Sequence, residues 1–214
     1  MEPEYQKHLY FPFKTCEKVQ EGIAQPYSSG INILNIAVIL YFLTQTKNSY
    51  TFYFIFSILL FETLHTLSHM FHIHPQIQTN IVHSMVYLIN ATFLYTVYRH
   101  SGIPPSFFLL FLIFIWIGLD IYAMLHLSMV FYIITQLGIF FSILFFYYSV
   151  LPSKSKNSIP WLFMIGLLIV CLVYNEMRNC EEMSKLYPDA PFHVLVEIPG
   201  LFFFYVLCRG MYTL

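Results

Sequence analysis

Seven apolar segments, each long enough to cross a bilayer, constrain the fold of this chain more than any other feature. They begin near Gly30, Tyr50, Asn80, Ser106, Leu127, Ile159 and Pro191 and end near Thr46, His74, Tyr98, Leu125, Tyr148, Met177 and Tyr212. Most contain about 17–25 residues, the length of an α-helix that spans the hydrocarbon core. Only 10% of the residues are charged. We therefore predict an all-α, polytopic membrane protein, a single domain over residues 1–214 that forms a seven-transmembrane-helix bundle.

The two ends of such a bundle lie on opposite sides of the membrane, because the number of spans is odd. Residues 1–29 form an N-terminal extramembrane segment, and we call its side the N-side. Lys and Arg number five on each side, so the positive-inside rule does not separate the two. The opposite side carries no acid, which favours a cytosolic C-terminus and a lumenal or extracellular N-terminus. A net charge of -1 without a basic block argues against nucleic acid as a partner.

Titratable side chains gather near the N-side end of two predicted helices. The second segment carries Glu62, His65, His69 and His72, and the seventh begins with Asp189, His193 and Glu197. Within each set the spacing is three or four residues, which places the side chains on one helix face. His83 and Glu176 lie at a similar depth in the third and sixth segments. The sequence thus predicts one polar layer near a single surface of the bundle.

This polar layer has the composition of a metal site. An ionisable group inside a membrane costs at least about 2.5–3.5 kcal/mol, so such groups usually face the bundle interior and have partners. His, Asp and Glu are zinc ligands, and a catalytic zinc takes three of them and leaves one position for water. The residues alone leave alternatives open. Asp189 stands just before Pro191, where an acid also caps a helix, and a polar layer also suits a proton or metal transporter.

The positions of two cysteines suggest a disulfide bridge. Cys16 and Cys180 both fall on the N-side. A bridge between them would require an oxidising compartment such as the ER lumen or the cell exterior. The residues alone leave two unpaired thiols as the alternative.

Two stretches of the chain resemble the alkaline ceramidase family. The first is "CEKVQEGIAQPYSSGINIL", in which a Cys-Glu pair precedes a Pro and a run of small polar residues that leads into the first span. The second is "NEMRNC" followed by "DAPFHVLVEIPGLFFFY", an acid and a Cys before a last span that begins with a ligand motif and runs into aromatics. The family belongs to a superfamily with progestin/adiponectin-type receptors and GPI-remodelling hydrolases. The resemblance implies a seven-helix bundle, a zinc ion held by three His, and hydrolysis of a lipid amide or ester.

Carried over residue by residue, the resemblance implies zinc ligands at His69, Asp189 and His193. His193 matches the second His of the final motif, and Asp189 stands where the family has the first. Cys16 and Cys180 match the family's paired cysteines, so the resemblance implies a disulfide between them.

The resemblance leaves two assignments for the second span. If His69 is the ligand, Asn80 occupies the position of the family's Asp and His65 replaces its Ser. If His65 is the ligand, His83 takes the Asp position. In the first assignment the general base is His65, or Glu62 behind it, which accepts a proton during catalysis and later returns it.

The resulting hypothesis is a zinc-dependent amidohydrolase that cleaves a ceramide-like lipid to a sphingoid base and a fatty acid. Calcium is not expected. Glu17 matches one acidic residue of the calcium site that animal members of the family have, but Gln25 replaces a second acidic residue of that site. The missing Asp and Ser favour an alternative: a non-catalytic, lipid-binding or receptor-like relative with a degenerate metal site. We prefer the enzyme.

Overall fold

Seven helices make up almost all of the structure, a computed structural model. It describes residues 9–10, 13–14, 16–17, 23, 25–71, 75–125, 129–187 and 190–214, and of residues 9, 10, 13, 14, 75–80 and 124 the backbone only. The helices are Pro26–Gln45 (α1), Ser49–Met70 (α2), Pro75–Ser101 (α3), Phe107–Leu125 (α4), Met129–Phe146 (α5), Ser153–Leu186 (α6) and Val194–Met211 (α7). Two short strands, Leu9–Tyr10 (β1) and Phe13–Lys14 (β2), pair antiparallel.

The predicted fold class is confirmed. Six of the helices are long and apolar enough to cross a membrane, and α4 contains a shorter apolar stretch, Phe107–Ala123. An α-helix pairs most of its backbone N–H and C=O groups within itself, as the hydrocarbon core of a bilayer requires, although Pro160 in α6 and Pro199 in α7 each leave one such bond unmade. The chain is therefore a multi-pass, all-α membrane bundle, while the side that each terminus faces stays a prediction.

The start of α1 is stabilised by an acid from the N-terminal segment. Pro26 occupies the first turn, where its missing N–H costs nothing. The carboxylate of Glu17 accepts the backbone N–H groups of Tyr27 at 2.6 Å and Ser28 at 3.2 Å, and also the hydroxyl of Ser28. Burial raises the pKa of the Glu17 carboxyl, and the Ser28 hydroxyl opposes that rise. Glu17 thus caps the helix and ties the N-terminal segment to the bundle.

Two helices extend beyond the predicted spans. We predicted that the sixth segment ends near Met177, but α6 continues to Leu186. The prediction was wrong here because hydropathy marks only the apolar part of a helix. Residues 178–186 are mostly good helix formers, so the helix continues past the apolar stretch. In the same way α3 begins at Pro75, ahead of the predicted start near Asn80.

The helices pack as a ring with one helix at its edge. α7 lies between α1 and α6, α2 lies between α1 and α3, and α5 contacts both α3 and α6. α4 packs mainly on α5. The largest buried cluster runs through the middle of the bundle and includes Ile39, Phe54, Phe93, Ile139, Ile143 and Leu207. α1 contacts both α2 and α7, so the N-side ends of α2 and α7 lie close to each other.

The contact between α4 and α5 depends on a glycine. A Cβ at Gly138 would lie 2.6 Å from the ring of Trp116, whose Nε1 donates to the Ser142 hydroxyl at 3.1 Å. We expect Gly138→Ala to lower the free energy of unfolding by about 1–3 kcal/mol, because the ring and its hydrogen bond must shift. Thermal unfolding in detergent measures this. Gly118→Ala is the control, since nothing lies within 4 Å of a Cβ there, and equal melting of the two variants would contradict the prediction.

Candidate functional site

Two histidines of α2 direct their Nε2 atoms toward each other. His65 and His69 are one turn apart, and their Nε2 atoms lie 3.2 Å from each other. Nδ1 of His69 is hydrogen-bonded to the side-chain oxygen of Gln25, the residue that precedes α1. The backbone N–H of Gln25 donates to the carbonyl of His69 at 2.8 Å. Gln25 therefore fixes the orientation of the His69 ring, with Nε2 toward the centre of the bundle.

The first turn of α7 supplies a carboxylate to the same place. Oε1 of Glu197 lies 3.3 Å from Nε2 of His69 and 3.0 Å from Nε2 of His193. His193 immediately precedes α7, so it and Glu197 share a face at a separation of four residues. Donor atoms of His65, His69 and Glu197 all lie within 4.8 Å of one another. His69 is 0% exposed and Glu197 8%, so this group lies in the interior.

These distances and donor types suit a metal ion. Four-coordinate zinc has ligand bonds of about 2.0–2.1 Å, which places neighbouring ligand atoms roughly 3.3 Å apart. The separations of 3.2 Å between the two imidazole nitrogens and 3.3 Å from His69 to Glu197 match that spacing. A cation would also offset the charge of the buried carboxylates. The His65–His69–Glu197 group, which we call the metal centre, can therefore hold a metal ion, and its nitrogen and oxygen donors suit several divalent metals.

Glu176 of α6 orients His193 from behind. Its two oxygens lie 2.9 and 3.0 Å from Nδ1 of His193, which leaves Nε2 facing Glu197. A carboxylate on the outer nitrogen of a histidine is the usual partner of a metal-site imidazole. Glu176 also accepts the backbone N–H of Cys16 at 2.8 Å.

The predicted disulfide between Cys16 and Cys180 is confirmed, with a Cα–Cα distance of 5.5 Å. The carbonyl of Cys16 accepts the N–H of Phe192 at 3.0 Å. The N-terminal segment is thus fixed to α6 and to the residues before α7, next to the metal centre.

An asparagine of α1 joins the carboxylates of two other helices. Asn32 is buried, and with its amide nitrogen facing the carboxylates it donates to Oε2 of Glu197 at 2.9 Å and Oε1 of Glu62 at 3.3 Å. The other oxygen of Glu62 lies 3.8 Å from Nδ1 of His65. Glu62 is therefore held beside the metal centre without belonging to the group of donor atoms.

A cavity of about 240 Å³ opens from the metal centre into the bundle. Its polar end is formed by Glu62, His65, His193 and Glu197. The rest of the wall is mainly apolar and includes Val82, Ile133, Phe140, Val173, Phe203 and Leu207. Asn35, Asn90, Tyr132 and Gln136 also line it. A cavity of this kind accommodates the chain of an amphiphile and places its polar group beside the imidazoles.

The structure brings several predicted residues together and places others elsewhere. Glu62, His65, His69 and His193 lie around one point. His83 lies in a second cluster, where its Nδ1 is 3.3 Å from Asp120 of α4 and its ring lies 4.3 Å from that of Tyr132. Asn80 belongs to α3, with only its backbone described, and Asp189 lies outside the described residues.

Four further residues belong to the site. Glu176 and Glu197 were predicted as members of the polar layer but not as ligands or supports of ligands, and Gln25 and Asn32 were not predicted there. The four-residue separation of His193 and Glu197 was a usable signal for a shared metal site. Gln25, Asn32 and Glu176 act on residues far away in the sequence, so no local pattern indicates their roles.

Comparisons with protein-family models, with curated proteins and with solved structures gave no match to this chain. The function is therefore argued from the site's own geometry and from the motifs quoted above.

Proposed function

We propose that this protein is a zinc-dependent hydrolase of a lipid amide, with a ceramide-like substrate of the kind that the resemblance to alkaline ceramidases implies. One observation carries the proposal. Two imidazole nitrogens and one carboxylate oxygen lie within 4.8 Å of one another at the polar end of a mainly apolar cavity. That arrangement supports chemistry at the polar group of a substrate whose chains lie in the bundle.

The side chains divide into those that hold the ion and those that move protons. His65, His69 and Glu197 hold zinc, and Gln25 fixes the ring of His69. When bound, zinc polarises a carbonyl and lowers the pKa of a water molecule to about 7. Glu62, buried against the cavity, accepts a proton from the attacking water and returns it to the nitrogen of the leaving amine. The products are a free amine and a carboxylic acid.

His193 acts beside this group. Its Nε2 faces Glu197 at 3.0 Å, and its Nδ1 donates to Glu176. It therefore either orients Glu197 or contributes a further nitrogen to the ion. In both roles Glu176 keeps the ring in place, which explains why a carboxylate is buried at this depth of α6.

The metal content of purified protein tests the first part of the proposal. We expect about one zinc per chain, and we expect His65→Ala and His69→Ala each to lose most of it, because either change removes a donor from a three-atom group. Mass-spectrometric metal analysis after removal of loosely bound ions measures this. His100→Ala is the matched control, since His100 is exposed at the opposite end of α3. Equal zinc in all four proteins would contradict the assigned donors.

Turnover of a ceramide with a fluorescent acyl chain tests the second part. Release of the fatty acid by the zinc-loaded protein, and not by His69→Ala, supports catalysis. Bound zinc and co-purified lipid without turnover would instead favour the non-catalytic relative. The missing Asp and Ser of the family motif are the observations that favour that second function.

A further inference from the structure

One face of α7, together with the residue before it, forms a continuous wall of the cavity beside the metal centre. The lining residues of this stretch follow one another at separations of one or three positions: His193, Val196, Glu197, Gly200, Phe203, Phe204 and Leu207. Such spacing keeps a single helix face turned toward the cavity. From Glu197 to Leu207 the helix rises about 15 Å, so this wall runs from the metal centre deep into the bundle.

Gly200 is the position on this wall that has no side chain. It lies three residues after Glu197, about 4.5 Å further along the helix axis. A Cβ at Gly200 would meet nothing within 4 Å, whereas a Cβ at Gly138 or Gly166 would come within 2.6 or 3.2 Å of a neighbouring side chain. Among the described glycines only Gly102 has a positive φ, so the backbone at position 200 does not require glycine either. The effect of glycine here is to leave open space beside the metal centre.

The part of the cavity past Gly200 suits an alkyl chain. Its wall continues along α7 with Phe203, Phe204 and Leu207, and α5 contributes Leu137 and Phe140. In a ceramide-like lipid the acyl chain is apolar from the first carbon after the carbonyl, whereas the amine part carries hydroxyl groups close to the nitrogen. The acyl chain is therefore the part that fits a wall that becomes mainly apolar one helical turn from the donor atoms.

We propose that Gly200 determines which acyl chains the cavity accepts and that the preferred substrate is the amide of a long-chain fatty acid, a role that rests on the proposed function. A larger side chain at this position would stand in the path of the acyl chain about one helical turn past the metal centre. It would leave room for only the first few carbons. Gly200 offers no functional group, so it affects the choice of substrate and not the breaking of the amide bond.

Turnover of two substrates that differ only in the acyl chain, the palmitoyl and acetyl amides of one sphingoid base, tests the proposal. Gly200→Leu should lower the ratio of kcat/KM for the palmitoyl substrate to kcat/KM for the acetyl substrate by at least about 50-fold, because each methylene that loses its place is worth about fourfold. The zinc content should stay at the wild-type level, since Gly200 supplies no donor atom.

Gly118→Leu is the matched control. Position 118 also has open space at its Cβ, but it lies on α4, from which no described residue lines this cavity. Gly200→Ala is the graded variant. Its Cβ fits without displacing a neighbour, so the fold is retained, and the ratio should fall by about fourfold, the value of one methylene.

Binding of analogues that cannot be hydrolysed separates this role from the proposed activity. N-Hexadecyl and N-ethyl derivatives of the sphingoid base have a methylene in place of the carbonyl, and their binding in phosphatidylcholine nanodiscs is read by native mass spectrometry. Gly200→Leu should weaken binding of the hexadecyl analogue at least about tenfold and leave binding of the ethyl analogue unchanged. This pattern, without any cleavage of ceramide by the wild-type protein, would contradict the hydrolase and retain the acyl-chain site.

Three results would overturn the proposal. One is an unchanged ratio of kcat/KM values in a folded Gly200→Leu protein. Another is an equal fall of that ratio in Gly118→Leu, which would trace the effect to the bundle as a whole. The third is equal binding of the hexadecyl analogue to the wild-type protein and to Gly200→Leu. If Gly200→Leu does not fold, an unchanged ratio in Gly200→Ala decides against the proposal.

Discussion

Glu197→Gln is expected to lower the zinc affinity of this protein by more than about 100-fold and to abolish amide hydrolysis. The change keeps the size of the side chain but removes the charge and the anionic oxygen that lies 3.3 Å from His69. Loss of a residue that only supports a ligand usually costs 10–100-fold in affinity, so the loss of a ligand should exceed that range. Competition with a zinc-binding dye measures the affinity, and release of fatty acid from ceramide measures the activity.

Variants of two other glutamates serve as comparisons for Glu197→Gln. Glu62→Gln should keep most of the zinc and lose the turnover, because Glu62 lies beside the donor atoms and is the proton acceptor in the mechanism that we propose. Glu182→Gln should change neither, since Glu182 is exposed on α6. Normal zinc binding by Glu197→Gln would show that the ion is held by other atoms, and normal turnover by Glu62→Gln would exclude its role as base.

Cys16→Ser should lower the free energy of unfolding by about 2–5 kcal/mol. The Cys16–Cys180 bridge closes a loop with a sequence separation of 164 residues, so it restricts the unfolded chain strongly. It also holds the backbone N–H of Cys16 against Glu176. Denaturation of detergent-solubilised protein, with and without a reductant, measures the loss.

Cys171→Ser provides the comparison, because Cys171 is a free, exposed cysteine of α6. Reductant should destabilise the wild-type protein and Cys171→Ser alike, and should have no further effect on Cys16→Ser. If Cys16→Ser is as stable as Cys171→Ser, the bridge contributes little and the other contacts of the N-terminal segment hold it in place.

Hydropathy predicts the number and order of the helices well, because a bilayer demands long, uninterrupted apolar stretches. It predicts their ends less well. The last part of α6, residues 178–186, is polar and helical at once, and an apolar window does not detect it. The division between α4 and α5 is the weakest feature of the hydropathy pattern, because only "MLHLS" separates the two apolar stretches.

The position of a side chain along its helix was readable from the sequence, but its position around the bundle was not. His65, His69 and His83 were all predicted near the N-side, and in the structure His65 and His69 lie in the last turns of α2 and His83 in the first half of α3. The direction in which each side chain faces depends on how the helices pack. His83 therefore meets Asp120 in a separate cluster, while Glu197 reaches His69 across the interface.

The closure of the metal centre by the last helix has a consequence for biosynthesis. Glu62, His65 and His69 leave the ribosome with the second helix, whereas Glu197 follows only with the seventh. At ordinary translation rates the delay is on the order of ten seconds. During that time the second helix must enter the bilayer with its imidazoles and carboxylate lacking their final partners, so we expect the nascent chain to depend on shelter at the insertion machinery until its last helix arrives.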